Sequence, residues 1–277
     1  MLPTTPTSTR VATSLSMPMM ICSGSVCDSD ATDPVVMEDL DKILAIELRD
    51  AIIYEATSLV EAVFPDKYLP LAINKKLLQS LKTVYGKNGW IKPATDSEPS
   101  SAKWLNRIGK FKVHALVTSA DTFNGIANAL AKKCSICLRR RWCSSKHTSP
   151  VKGSAIRRKP DLVLVDARHR LVDDWKPEWK DICAIGEVTC QQTFHLKLRN
   201  QILNKAYVAM NQQDDRHFIV FLSFFNHTSF CITLCDRTGV IHSPAYKIYG
   251  DALYLLRILT CLMFSAEHEL GHDPTIH

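Results

Sequence analysis

Two apolar runs decide the fold of this chain: PDLVLVD at residues 160–166 and ICAIGEVT at residues 182–189. Both are of strand length, rich in aliphatic and β-branched residues and bounded by polar residues, so each predicts a buried strand. Asp161 opens the first run and Glu187 stands near the end of the second. If the two strands pair through a turnback, both carboxylates meet at one end of a sheet. Two carboxylates facing one cavity form the kind of oxygen site that Mg²⁺ prefers.

Pro160-Asp161, followed about twenty-five residues later by Glu187-Val188-Thr189, resembles the signature of the PD-(D/E)xK nuclease-like fold. The resemblance implies that fold, and it implies low-affinity metal binding by Asp161 and Glu187. The signature has lysine at the position of Thr189 in this chain, and threonine cannot supply the positive charge that polarises an attacking water. The expected site is therefore degenerate.

In some relatives the lysine of this signature moves to the following helix. Residues 195–211 have the apolar periodicity of such a helix, with Leu198, Ile202 and Ala206 on one stripe. Lys197 and Lys205 are then candidates for the displaced lysine. Gln201 lies on the same helix face as both, because residues four apart on a helix are neighbours. An active metal-dependent nuclease using Asp161 and Glu187 stays open as an alternative function.

Composition places the chain among ordinary globular proteins. It has 277 residues, 46% of them hydrophobic, and a net charge of +6. Ten cysteines follow no framework of spacings, so they indicate reduced thiols in an intracellular protein of the cytoplasm or nucleus. Residues 1–36 are rich in Ser, Thr, Pro and Met and predict a disordered arm. Residues 37–277 predict one α/β domain without a membrane span.

Three local patterns complete this prediction. Apolar residues recur at three- and four-residue steps from Met37 to Phe64, which predicts one helix ended by Pro65. Residues 111–117 alternate apolar and polar and predict a strand. Residues 251–267 predict a C-terminal helix buried on more than one side.

Residues 132–159 carry ten cations and no acid, so the basic character of the chain is concentrated there. We expect a basic loop. It is consistent with weak nucleic-acid binding, with a nuclear import signal, or with a solvated segment.

The same segment contains four potential zinc ligands, Cys134, Cys137, Cys143 and His147. Tetrahedral zinc needs four such ligands, so a zinc-binding protein is a further alternative. No glycine lies between Cys134 and His147 to form a tight ligand turn, and we therefore expect coincidence in a cysteine-rich chain. No cofactor is expected, with Mg²⁺ or Zn²⁺ as the possible exceptions.

A second resemblance spans residues 60–277. The order of its parts is a Lys-Pro-Asp strand, a Glu-Val strand, a Gln- and Tyr-bearing helix, the turn Asp236–Val240 and the ending Leu270–Ile276. This order resembles the region that precedes the catalytic domain in fungal-type protein kinases. The sequence contains no G-x-G-x-x-G, H-R-D or D-F-G motif, which a kinase needs to hold ATP and Mg²⁺.

The sequence therefore predicts an α/β domain with a central mixed sheet flanked by helices, nuclease-like in its core. The resemblance implies a non-catalytic regulatory or interaction module. Its partner would be another protein or a downstream kinase domain, with weak nucleic-acid binding through residues 132–159.

Overall fold

Eight strands form one mixed sheet in the computed structural model, and helices pack on both of its faces. The structure describes residues 34–91, 112–144, 150–154, 156, 158–169, 177–189, 196–226 and 228–276. The helices are α1 (Pro34–Glu47), α2 (Leu59–Val63), α3 (Lys75–Ser80), α4 (Lys112–Cys134), α5 (Leu196–Asn211) and α6 (Ala252–Phe264). The strands are β1 (Ile52–Ile53), β2 (Tyr85–Gly86), β3 (Gly89–Trp90), β4 (Arg140–Ser144), β5 (Leu162–Asp166), β6 (Ala184–Val188), β7 (Phe218–Phe225), β8 (Ser229–Asp236), β9 (Val240–His242) and β10 (Tyr246–Lys247). The predicted mixed α/β architecture is confirmed.

The main sheet has the order β1-β9-β8-β7-β6-β5-β4, with β10 paired to β8. β5 runs antiparallel to its neighbours β4 and β6, and β8 runs antiparallel to its neighbours β7 and β9. β6 and β7 are parallel, and α5 connects them, because parallel neighbours need a crossover. β2 and β3 form a separate hairpin.

The two apolar runs of the sequence are the centre of the sheet. Leu162–Val165 in β5 and all of β6 are buried, since both faces of the sheet are covered at this point. On one face α4 and α6 pack over residues such as Trp142 and Leu164. On the other face α5 and α1 pack over Val163, Ile185 and Phe221. Strands covered on both sides have continuous apolar sequences, as these do.

The outer edge of the sheet at β4 is closed by one side chain. Asn124 of α4 accepts a hydrogen bond from the Trp142 N–H at 2.9 Å and donates one to the Trp142 C=O at 2.8 Å. The carboxamide therefore takes the place of a neighbouring strand at that residue. Exposed edge groups invite pairing with other chains, and at Trp142 both backbone groups are already paired.

Several local predictions were wrong. Residues 37–64 form α1, β1 and α2 rather than one helix, because Ala51 O accepts from Val240 N and draws Ile52–Ile53 into the sheet. Residues 112–117 begin α4 rather than a strand, because the apolar stripe of Phe123, Ile126 and Leu130 continues the helix to Cys134. Most of the predicted disordered arm, residues 1–33, lies outside the described residues.

The predicted basic loop is also partly regular structure. Lys132–Cys134 end α4, and Arg140–Ser144 form β4. Arg140 is buried and donates to the carbonyls of Leu262 and Ser265 at the end of α6. Arg158 is buried as well. Among the described residues of the segment, the exposed cations are Lys132, Lys133, Arg139, Lys152 and Lys159. Two of the cations expected in a solvated loop, Arg140 and Arg158, are therefore buried in the folded domain.

Candidate functional site

The two predicted acids lie opposite each other at one end of the sheet. The β5–β6 register pairs Leu162 with Gly186, which places Asp161 across from Glu187. On the other side of β6, Glu187 is in direct register with Ser223 of β7. Alternation along the strands puts all three side chains on the face that α5 covers, together with Val163, Ile185 and Phe221. The result is a short polar row within an otherwise apolar layer.

Lys205 of α5 completes this row. Its Nζ donates to Glu187 Oε2 at 2.6 Å, a charge-assisted hydrogen bond between two buried side chains. The neighbours of Lys205 on α5, Ile202 and Ala206, pack on the sheet and turn this helix face inward. Lys205 was one of the two candidates for the displaced lysine, and the fold brings it to the predicted acid.

Asp161 has a different contact. Its Oδ2 accepts a hydrogen bond from the backbone N–H of Val188 at 2.9 Å. This bond ties the start of β5 to the end of β6, beyond the last paired residues of the two strands. Asp161 is half-buried, whereas Glu187 is only 2% exposed. The two acids therefore differ in both partner and solvent access.

The surroundings of Glu187 change its acidity. Burial raises the pKa of the Glu187 carboxyl to about 7; Lys205 opposes the rise, and the nearby Asp161 carboxylate adds to it. Removing a carboxylate from water disfavours its charged form, and here one lysine only partly compensates. Glu187 thus titrates near neutral pH instead of near 4.5.

Two polar atoms of the row have no hydrogen-bond partner within the described part of the chain. They are Glu187 Oε1 and Ser223 Oγ, both buried and on neighbouring strands in register. Sequence reasoning did not single out Ser223. The signal was present, because Ser223 is the one polar residue within FIVFLSFF of β7.

The other predicted site residues lie apart from this row. The Thr189 N–H donates to the Phe224 carbonyl at 2.9 Å, which continues the pairing of β6 with β7. Gln201 is exposed on α5, so it does not accompany Lys205 into the site. Lys197 lies in α5, but its side chain is outside the described part of the structure.

The site as it stands does not fit a resident divalent metal. Mg²⁺ requires near-octahedral oxygen coordination. Within the described ranges, no group of three or more His, Cys, Asp or Glu residues is placed to hold a metal ion. One oxygen of Glu187 already binds the Lys205 ammonium, and one oxygen of Asp161 binds the Val188 N–H. A cation would have to compete with a buried positive charge.

The predicted zinc ligands are only partly described. Cys134 ends α4, Cys137 is exposed, and Cys143 is buried in β4; none of the three is in a disulfide. Burial raises the pKa of the Cys143 thiol to about 11, which disfavours the thiolate that zinc binds. His147 lies outside the described residues, so the full zinc set stays a prediction.

The C-terminal half of the chain carries two turn motifs built on backbone contacts. Asp236 Oδ1 accepts from Thr238 N, Thr238 Oγ1 and Gly239 N, each at 2.7 Å. Gly271 has a φ of 95°, and its carbonyl accepts from His217 N at 2.7 Å. A side chain at Gly271 would also meet the Phe218 carbonyl at 2.6 Å. Both motifs therefore serve the fold of β7, β8 and β9.

Residues 159–277 match the family model described as fungal protein kinase. The chain is similar to that family over this stretch, which contains Asp161, Glu187, Lys205 and both turn motifs. The match is narrower than residues 60–277, the range that the sequence pattern suggested. No curated protein and no solved structure matches the chain. The nuclease-like core stays a prediction.

None of the helices in the described ranges is both long enough and apolar enough to span a membrane.

Proposed function

We propose that this chain acts as a non-catalytic regulatory or interaction module of a fungal-type protein kinase. The observation that carries the proposal is the closed state of the candidate site. Glu187 and Lys205 neutralise each other in a buried position, where neither side chain reaches solvent or a large substrate. The site then joins α5 to the sheet and stabilises the fold.

The family match supports the kinase context of this proposal. The sequence itself contains no phosphate-binding glycine loop, no catalytic H-R-D and no D-F-G. Phosphoryl transfer depends on those parts for positioning and charge neutralisation. The chain would therefore act on a kinase catalytic domain, in the same polypeptide or in another, rather than as one.

The experiment mixes this chain with a separately expressed catalytic domain of a fungal-type protein kinase. Binding is measured by calorimetry and phosphorylation of a generic peptide by phosphate incorporation. We expect binding, a change in the phosphorylation rate, and no phosphorylation by the chain alone. Phosphate incorporation by the purified chain that survives removal of contaminating kinases would overturn the proposal, and so would the absence of both binding and a rate change.

A metal-dependent nuclease is the second candidate, and the position of Lys205 favours it. In this alternative Lys205, which contacts Glu187, takes the role of the lysine that is missing at Thr189. The order α4-β4-β5-β6-α5-β7, with β6 parallel to β7, also supports the nuclease-like core predicted from the sequence. In this alternative Asp161 and Glu187 would supply oxygen ligands and Lys205 the positive charge.

Plasmid cleavage with Mg²⁺ or Mn²⁺ separates the two candidates. The variants are Asp161→Ala, Lys205→Met and the matched control Lys180→Met, which removes a lysine from an exposed ion pair. The first proposal expects no cleavage by any of them. Cleavage by the wild type and Lys180→Met that both site variants lose would establish the nuclease. Loss of one such electrostatic contact typically lowers a rate by about 10²–10³.

A further inference from the structure

The N-terminal segment 40–54 lies across α5 next to the candidate site. Leu40, Leu44 and Leu48, one helical stripe of α1 and the turn after it, pack into the same apolar layer as α5. The segment then turns into β1, which pairs with β9 over two residues only. It is thus held on the domain at two places, α5 and the edge of the sheet.

Asp41 is the polar contact at the first place. Its carboxylate accepts from the Asn204 side chain, and Asn204 is the residue before Lys205. Burial lowers the pKa of the Arg158 guanidinium, and the negative charge of the Asp41 carboxylate opposes that shift. Arg158 stands three residues before Asp161. Asp41 therefore holds α1 on α5, one residue from Lys205.

The second place depends on small contacts. Ala51 O accepts from Val240 N at 2.9 Å, and a side chain on Gly239 would meet that same carbonyl at 2.5 Å. The Arg199 guanidinium donates to Tyr54 Oη at 2.8 Å, and the Tyr54 ring stacks on His242. Two paired residues and one ring hold the end of the segment.

We propose that residues 40–54 form a removable strap that closes the site of Asp161, Glu187 and Lys205. In the closed state Asp41 binds Asn204, the residue before Lys205 on α5. Release of the strap uncovers this part of α5 and gives solvent and small ions access to Lys205 and Glu187. This inference does not depend on whether the site is catalytic, because it concerns only access to the ion pair.

Two attachments of the strap can be weakened one at a time, the Asp41 contact on α5 and the pairing of β1 with β9. Asp41→Ala and Asn204→Ala remove the polar contact on α5. Gly239→Ala disturbs the pairing of β1 with β9 without touching α5. Asp39→Ala is the matched control, because Asp39 lies on the same helix and accepts its hydrogen bond from the exposed Lys42.

The experiment uses two readouts on the full chain. Hydrogen exchange of the α1 amides reports release of the strap, and acylation of Lys205, followed by mass spectrometry, reports access to the site. We expect Asp41→Ala and Asn204→Ala to raise the exchange rate and the acylation rate at least about ten-fold each. Each variant removes one hydrogen bond to a charged group, and a loss of that size in attachment strength is expected for such a bond. The double variant Asp41→Ala/Asn204→Ala should raise the two rates little more than either single variant does, because both substitutions remove the same contact. Asp39→Ala should leave both rates unchanged.

The wild type provides a test that needs no variant to fold. In rising urea, α1 exchange and Lys205 acylation should increase together before the α5 amides exchange. The strap proposal is wrong if Lys205 reacts only when α5 unfolds, or if α1 is released while Lys205 stays protected. In either case α5 alone keeps solvent from the site. Unchanged α1 exchange in both Asp41→Ala and Gly239→Ala would equally overturn it.

Discussion

Lys205 and Glu187 form a buried ion pair, with Nζ and Oε2 2.6 Å apart, that joins α5 to the middle of the sheet. The pair brings together two residues that are eighteen positions apart in the chain. It also sets the chemistry of the site, because any cation would have to compete with the Lys205 ammonium for Glu187 Oε2.

Replacing one partner of the pair should be costly. Lys205→Met leaves the Glu187 carboxylate buried without a counter-charge, and such losses typically cost about 3–5 kcal/mol of the free energy of unfolding. The double variant Glu187→Gln/Lys205→Met should recover much of that loss, because no charge is then buried. Urea unfolding at pH 8 measures both. Lys180→Met, which breaks an exposed pair with Glu178, should change little. A double variant as unstable as Lys205→Met would contradict this account.

The raised pKa of Glu187 makes its contribution to stability depend on pH. The folded state binds the Glu187 proton more tightly than the unfolded state, whose carboxyl titrates near 4.5. Between pH 4.5 and 7 the folded state keeps the proton while the unfolded state has lost it, so this contribution falls as pH rises and is constant above 7. The full change is on the order of 3 kcal/mol.

The difference between wild type and Glu187→Gln isolates this effect, because other groups titrate equally in both proteins. We expect the wild type to lose stability relative to Glu187→Gln as pH rises through the window, by urea unfolding at closely spaced pH values. Glu178→Gln, at an exposed carboxylate, is the control. A difference that stays constant from pH 4.5 to 7 would show that Glu187 titrates as an ordinary carboxyl.

Asn124 should keep the chain from associating through β4. Asn124→Ala leaves the N–H and C=O of Trp142 without their partner, at a cost of about 1–3 kcal/mol, and opens the edge of the sheet. We expect lower stability and larger particles by light scattering. Asn124→Asp keeps an acceptor for the N–H but loses the donor to the C=O, so it should be intermediate. A monomeric Asn124→Ala protein of unchanged stability would refute the protective role.

Residues 132–159 should bind polyanions weakly and without sequence preference. The exposed cations, among them Lys132 and Lys133, are available for phosphate contacts, whereas Arg140 and Arg158 are buried. Affinity for duplex DNA should fall as the salt concentration rises. The slope of the logarithm of affinity against the logarithm of salt concentration should become shallower by about 0.9 for each phosphate contact that a substitution removes. Lys132→Ala/Lys133→Ala should reduce affinity and slope, while Lys75→Ala/Lys76→Ala, on exposed α3 positions, should reduce neither to the same extent. Affinity that is independent of salt would exclude this mode of binding.

Much of the fold could be predicted from local pattern. The runs at 160–166 and 182–189 are strands β5 and β6, and the helical periodicities after them are α5 and α6. These predictions succeeded because each segment buries its apolar residues on a regular period, and because the period differs between strands and helices. Pattern failed where a tertiary contact overrode it, as at Ile52–Ile53, where pairing with β9 interrupts a helical sequence.

The sequence by itself determined which acids stand at the strand ends and that Thr189 lacks the expected charge. It also indicated Lys205, but only as one of two candidate lysines on the helix after β6. Local sequence pattern does not predict how far either lysine lies from the sheet. The tertiary structure decided that Lys205 reaches Glu187, that Gln201 faces solvent and that Ser223 lies beside the acid. The physical reason is that strand register and helix packing set distances between residues far apart in the chain, while periodicity reports only which face of an element is buried.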